Sequence, residues 1–237
     1  MPKQKDNRYL NQKEDFLKFA YQALEDQFAD RKEFIDFFEN IKGIDQKNLF
    51  LKTASFYLLL VKKGEWLINV PGYEQRIDYL NHTYKYIAIF SLIESLYEKQ
   101  FIDFYSYLIG KKNKIKFPIE DKNQLEHLYR KYKEEYGSIH QSVEFFKSLS
   151  EKSKTELIAN LEVRNREPKI EDIAKYLYNW RSEFVHEANL VLNMSGRLHI
   201  RRDGNKFVIC KLSLDKLMTF FEEGLIVYFM PNAKSQE

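Results

Sequence analysis

Residues 170–193, IEDIAKYLYNWRSEFVHEANLVLN, repeat apolar side chains every three or four positions, and this stretch decides the fold class. An α-helix advances about 100° per residue, so this spacing gathers the apolar side chains on one side. The residues gathered in this way are Ile173, Leu177, Trp180, Phe184, Ala188 and Val191. We therefore predict a helix from about Ile170 to Asn193 that buries one face in the core of an all-α domain.

Polar, mostly uncharged side chains form a second stripe on the same predicted helix. Its members are Asn179, Ser182, His186, Asn189 and Asn193. Solvated helix faces usually carry lysine and glutamate, so a stripe of this kind suits a face that contacts a polar ligand or a second copy of the chain. Ser182 and His186 are four residues apart and share this face.

Arg181 lies apart from that stripe, among small and apolar positions. A guanidinium is rarely buried without a partner, so it either extends to solvent along its stem or finds acceptors. It is either part of an internal ion pair with a carboxylate on a neighbouring helix or a functional residue, and the sequence leaves both open. Arg181 and His186 are five residues apart, which separates them by about 140° on an ideal helix. For His186 alone, pairing with Glu183 is the plain alternative.

The run Arg181-Ser-Glu-Phe-Val-His186, preceded by Tyr176-Leu177-Tyr178-Asn179-Trp180, resembles the arginine–histidine motif of the HEPN superfamily, and in particular its Apea-like members. The resemblance spans roughly residues 77–193. It implies a HEPN-like four-helix bundle core and a metal-independent endoribonuclease in which Arg181 and His186 are catalytic. Ser182 and Glu183 would orient the histidine or the substrate, with Asn179 as a further supporting residue.

The implied reaction is attack of a ribose 2′-hydroxyl on the adjacent phosphorus. His186 would handle a proton, and Arg181 would offset charge on the phosphoryl oxygens. Members of this family build the cleft at a two-fold interface, so the resemblance implies a homodimer that acts on RNA. A role as a toxin or in defence, with a neutralising protein partner, fits the same family.

Helical spacing continues through most of the remaining chain. We predict further helices over about 16–28, 30–41, 45–63, 77–109, 123–135, 138–149 and 152–161. Asp30 with Glu33, and separately Asp45, are predicted helix caps. The turn at residues 71–72 divides a predicted N-terminal helical subdomain, residues 1–70, from a HEPN-like domain, residues 71–237.

The spacing of apolar residues changes after residue 196 from every three or four positions to every second position. Leu198 and Ile200 alternate with charged neighbours, and Asp203-Gly204 is a typical hairpin turn, so we predict one C-terminal β-hairpin as the only sheet. A closing helix is predicted from about Ser213.

Composition limits the classes of protein that this chain can represent. The formal net charge of +3 over 237 residues permits an anionic partner without requiring one. A single cysteine, Cys210, excludes an internal disulfide and suits a reducing compartment. No secretory signal or membrane-spanning run is seen, so a cytoplasmic location and no membrane contact are predicted. The five histidines lack metal-ligand spacing, and we expect no metal and no cofactor.

Three further basic residues are candidate contacts for an RNA backbone. Lys112 lies in a lysine-rich segment, and Arg197 and Arg201 share one face of the first hairpin strand with His199. The alternatives are a solvated loop and a charged strand face that protects a sheet edge. The alternative function is a non-catalytic helical module of the same fold that binds RNA or a protein partner.

Overall fold

The computed structural model describes residues 7–66, 71–72, 77–97, 103–110, 119, 121–164, 167–187, 194, 196, 198–203 and 206–230. The fold is all-α with one small sheet. The helices are α1 (Arg8–Asn11), α2 (Lys13–Leu24), α3 (Arg31–Asn40), α4 (Ile44–Tyr57), α5 (Ile77–Leu96), α6 (Phe104–Gly110), α7 (Lys122–Tyr136), α8 (Ser138–Lys147), α9 (Glu151–Ala159), α10 (Ile170–Glu187) and α11 (Leu214–Phe229). A 3₁₀ turn, Glu25–Gln27, follows α2, and a π-helical turn, Leu58–Lys62, continues α4. The strands are β1 (Leu161–Val163), β2 (His199–Asp203) and β3 (Lys206–Cys210).

Side chains at the helix starts explain several of these boundaries. The Asp30 carboxylate accepts the Glu33 N–H at 2.8 Å, and the Glu33 carboxylate accepts the Ala29 N–H at 2.6 Å, which confirms the predicted cap of α3. The cap predicted at Asp45 is wrong. Helix α4 begins at Ile44, and its cap is Gly43 at a φ of 89°, a conformation that glycine adopts without strain.

The single helix predicted over residues 77–109 is also wrong. Helix α5 ends at Leu96, where the Tyr97 N–H donates to the Glu94 carbonyl at 3.3 Å. A separate helix, α6, begins after Asp103, whose carboxylate accepts the Ser106 N–H at 2.9 Å. Apolar spacing alone does not mark this break, because it continues across both helices, whereas the Asp103 side chain supplies a new helix start.

The sheet has three antiparallel strands in the order β1-β3-β2, rather than the predicted hairpin alone. The missed strand, β1, falls where the sequence predicts the end of a helix. Its three residues alternate buried, exposed and buried, and Leu161 lies opposite Cys210 in β3. Three residues are too few for a period-2 pattern to be recognised, so pairing with β3 decides the conformation.

One hydrophobic core extends from α2 to α11, on both sides of the boundary predicted at residue 70. The ring of Phe50 in α4 lies 5.3 Å from that of Phe229 in α11. The hydroxyl of Tyr57 donates to the buried carboxylate of Glu222 in α11 at 2.7 Å. Among the described residues, none of the helices combines the length and the apolar composition needed to cross a bilayer.

Candidate functional site

Helix α10 buries the face that its apolar spacing predicts. Ile173, Leu177 and Trp180 are buried, whereas Asn179 and His186 are exposed. The described part of the polar stripe therefore lies at the surface, as predicted, and Asn189 and Asn193 fall outside the described residues. The Tyr86 hydroxyl of α5 donates to the Leu177 carbonyl and fixes the two helices against each other.

Arg181 is held at one edge of this exposed face by an ion pair with α5. Its Nη2 donates to Glu94 Oε2 at 3.2 Å, and the guanidinium lies 5.6 Å from the centre of the Tyr178 ring. The Arg181 side chain is 14% exposed and that of Glu94 is 24% exposed, so the pair is neither sealed in the core nor free in solvent.

The pair is incompletely satisfied. Arg181 Nε and Glu94 Oε1 are both buried, and neither has a hydrogen-bond partner among the described residues. A buried polar atom without a partner costs free energy, so this ion pair leaves one donor and one acceptor unused. Burial raises the pKa of Tyr178, which keeps its hydroxyl protonated beside the pair.

A second arginine–glutamate pair lies at the other edge of the exposed face. Glu183 of α10 forms an ion pair with Arg201 of β2, and the Arg201 guanidinium lies 5.9 Å from the centre of the Trp180 ring. On an ideal helix Arg181 and Glu183 are about 200° apart around the exposed side, and Ser182 and His186 lie within that arc. The predicted polar stripe is thus bordered by two guanidinium groups.

The hairpin strand turns its charged face inward, toward α10. His199 and Arg201 are half-buried, whereas Leu198 is 55% exposed and Ile200 is 64% exposed. Arg201 therefore pairs with the carboxylate of Glu183 in α10 and does not lie on an open, charged strand face. Arg197 and Lys112, the other predicted RNA contacts, lie outside the described residues.

His186 is exposed near the end of α10 and has no hydrogen-bond or ion-pair partner among the described residues. Its alternative partner, Glu183, is engaged by Arg201 instead. Ser182 is half-buried one turn earlier on the same side of the helix. Helical geometry within one chain keeps the His186 imidazole away from the Arg181 side chain, because the two residues point in directions about 140° apart.

Sequence reasoning missed Glu94 as the partner of Arg181. A signal was present, because Glu94 is the one charged residue between Tyr86 and Leu96. It also missed an aromatic group beside the motif, in which Trp66 stacks on Tyr84 and Tyr84 contacts Phe184 of α10.

Other reactive groups lie away from this face. Burial raises the pKa of Cys210 to about 11, so its thiol is a poor nucleophile at neutral pH. The described residues contain no cluster of three or more histidine, cysteine, aspartate or glutamate side chains able to hold a metal ion.

Comparisons with family models, with curated proteins and with solved structures give no match to this chain.

Proposed function

We propose that this chain is a metal-independent endoribonuclease of the HEPN type, acting through Arg181 and His186. The observation that supports the proposal best is the exposed imidazole of His186, which has no partner in the described part of the chain and lies on the same helix as a half-buried arginine. An imidazole titrates near neutral pH and exchanges protons readily, and a guanidinium binds phosphoryl oxygens. These two groups are the ones that cleavage of RNA without a metal requires.

In this mechanism the ribose 2′-oxygen forms a bond to the adjacent phosphorus as the bond from phosphorus to the 5′-oxygen breaks. The 2′-hydroxyl loses a proton and the leaving 5′-oxygen gains one; His186 transfers the proton at one of these oxygens and solvent water at the other, while Arg181 offsets the negative charge on the phosphoryl group. Only one hydrogen bond from the Arg181 guanidinium is described, to Glu94, so other N–H donors remain for phosphate. The products are a 2′,3′-cyclic phosphate and a 5′-hydroxyl.

The proposal includes a homodimer. Because Arg181 and His186 diverge on one helix, a two-fold arrangement that places two α10 helices face to face would bring the arginine of one copy toward the histidine of the other. Sedimentation of the purified chain checks this part, and a monomer under all conditions of activity would contradict it.

A toxin role with a neutralising protein partner is consistent with such an enzyme and is tested by co-purification.

Cleavage of single-stranded RNA in the presence of EDTA tests the enzyme itself. We expect Arg181→Ala and His186→Ala each to lower the rate by about 10²-fold or more, the usual size of a general acid–base or charge-stabilising contribution. Arg130→Ala and His140→Ala are matched controls, because both residues are exposed on other helices and should leave the rate unchanged. Cleavage by both motif variants at the parental rate would refute the proposal.

The Arg181–Glu94 ion pair favours a second candidate, a non-catalytic helical module that binds RNA or a protein. In that case Arg181 only fastens α10 to α5, and its removal leaves Glu94 without its partner. Arg181→Ala would then lower the free energy of unfolding by about 1.5–3 kcal/mol, the range for a hydrogen bond to a charged group. Thermal melting of the same variants, together with an absence of cleavage by the parent, would favour this candidate over the nuclease.

A further inference from the structure

Trp66 is an exposed indole whose position is fixed by three separate contacts. Its backbone N–H donates to Asn81 Oδ1 at 3.0 Å, and its indole N–H donates to the Leu60 carbonyl at 3.0 Å. Its ring stacks on Tyr84 with centroids 5.3 Å apart and an interplanar angle of 22°. Large apolar side chains at a surface are usually mobile or buried by a neighbour, whereas this ring is 36% exposed and held in one orientation.

The chain immediately before Trp66 is shaped to produce this orientation. The π-helical turn Leu58–Lys62 ends in a sharp bend at Gly64, where a Cβ atom would lie 2.1 Å from the Leu59 carbonyl oxygen. Only glycine fits this bend. The bend brings the Trp66 indole N–H to the Leu60 carbonyl, so the backbone at Gly64 helps to set the position of the ring. We call the stacked rings of Trp66 and Tyr84 the platform.

The Trp66–Tyr84 stack is connected to α10 through contacts between aromatic rings. Tyr84 of α5 meets Phe184 of α10 edge to face, with centroids 6.1 Å apart. Phe184 lies three residues after Arg181, on the neighbouring part of the helix surface. The exposed indole is therefore two ring contacts from the helix that carries the proposed phosphate-binding arginine.

Two lysines close in sequence to Trp66 and Tyr84 favour binding of a polyanion. Lys63 is exposed and Lys85 is half-buried, and neither has an ion-pair partner within the described part of the chain. Among the described residues, the charged sequence neighbours of Trp66 and Tyr84 are Lys63, Glu65 and Lys85, two positive charges and one negative charge.

We propose that the Trp66–Tyr84 stack is a base-binding subsite for single-stranded RNA, on which a nucleobase stacks while the adjoining backbone approaches α10. The inference rests on the proposed function, because it places the substrate of the same site. Stacking on an aromatic ring does not distinguish strongly among bases, so this subsite gives affinity and register with little sequence preference. A preorganised ring of this kind loses little conformational entropy when a base binds.

The test uses the full chain with His186→Ala, so that RNA is bound without being cut, and a fluorescein-labelled single-stranded RNA of about twelve nucleotides. The chain has two tryptophans, and Trp180 is 1% exposed, so quenching of intrinsic fluorescence reports on Trp66. We expect RNA to quench this fluorescence and inorganic polyphosphate, which has charge without bases, to leave it unchanged. Binding that is detected by anisotropy without quenching would overturn the inference.

Substitution of Trp66 provides a second test of the subsite. We expect Trp66→Ala to raise the Kd for RNA by roughly five-fold or more, as for loss of one base–aromatic stack, and Trp66→Phe to restore most of the affinity. Tyr105→Ala, which removes a ring that is 71% exposed on α6, is the matched control and should bind as the His186→Ala parent does. If the parental chain cuts RNA but adding Trp66→Ala to the His186→Ala chain leaves its Kd for RNA unchanged, this inference alone fails. If no variant binds or cuts RNA, the proposed function fails with it.

Discussion

Gly224 lies in the middle of α11, where the helix backbone touches the ring of Phe145. A Cβ atom at this position would lie 2.4 Å from Phe145 Cζ, and that ring is 1% exposed and stacked on Phe221. The alanine side chain favours the helix by about 1 kcal/mol, but overpacking a rigid core costs about 1–3 kcal/mol. We expect Gly224→Ala to lower the free energy of unfolding, measured by urea denaturation.

Gly110→Ala is the control for that substitution, because a Cβ atom there meets no atom of the described residues within 4 Å. It should leave the urea midpoint unchanged or raise it. A smaller side chain at residue 145 should relieve the clash, so Phe145→Leu is expected to cost less in the Gly224→Ala background than alone. Equal stability of Gly224→Ala and the parent would show that the ring of Phe145 moves freely, contrary to its packing.

Arg181 illustrates how far single residues could be predicted from the sequence. Its position at the edge of an apolar face predicted a carboxylate partner on a neighbouring helix as one alternative, and the structure has such a partner in Glu94. The identity of that partner was not predictable, because it depends on how α10 crosses α5 in space. Whether Arg181 is also catalytic stays a prediction.

At the scale of elements, periodicity predicted the helices well and the orientation of the sheet poorly. Leu198, just before β2, and Ile200 within it would be expected to face inward, yet His199 and Arg201 do. Alternation separates two faces of a strand but does not say which one is buried when the neighbouring helix offers a charge. Here Glu183 supplies that charge, and the ion pair decides the orientation.

The start of α9 depends on a side chain from another helix. Glu223 of α11 is 7% exposed, and its carboxylate accepts the Ser150 N–H at 2.7 Å and the Ser153 hydroxyl at 2.5 Å. We expect Glu223→Ala to lower the free energy of unfolding by about 1.5–3 kcal/mol and to speed amide exchange in the first turn of α9. Glu134→Ala, at an exposed position of α7, should change neither quantity. Unaltered exchange in α9 with Glu223→Ala would contradict this capping role.

At the scale of the whole molecule, a polar network centred on the buried carboxylate of Glu222 connects the N-terminal helices to α11. The Glu222 carboxylate accepts from Tyr57 at 2.7 Å and from Lys62 at 3.2 Å, and Lys62 also contacts Asp26 at 2.8 Å. Glu222 lies after position 70, whereas Tyr57 and Lys62 lie before it, so the network and the shared core connect the two parts of the chain. The sequence marks a turn there, but composition alone does not show whether a turn separates two cores or joins one.

This network makes stability sensitive to alkaline pH. Burial and the neighbouring Glu222 raise the pKa of Tyr57 far above its usual value, and burial does the same for Tyr86. Burial opposes the charge on Lys62, but Asp26 and Glu222 outweigh it and raise the pKa of that lysine as well. In the unfolded chain these tyrosines lose their protons near pH 10, while in the folded chain they keep them.

The unfolded state therefore binds fewer protons than the folded state above about pH 10, and the free energy of unfolding must fall as the pH rises further. Loss of the Lys62 charge acts in the same direction, because its ion pairs are present below its unfolded pKa and disappear at higher pH. We expect the urea midpoint to be level up to about pH 8, to begin to fall as the Cys210 thiol loses its proton in the unfolded chain, and to fall more steeply above about pH 10. Tyr57→Phe should lower stability at neutral pH, through the lost bond to Glu222, and should make the alkaline decline less steep.

Tyr105→Phe should leave the decline unchanged, because that hydroxyl lies on a ring that is 71% exposed. A parental midpoint that stays level to about pH 11 would show that the buried tyrosines titrate in the folded chain as they do in the unfolded one.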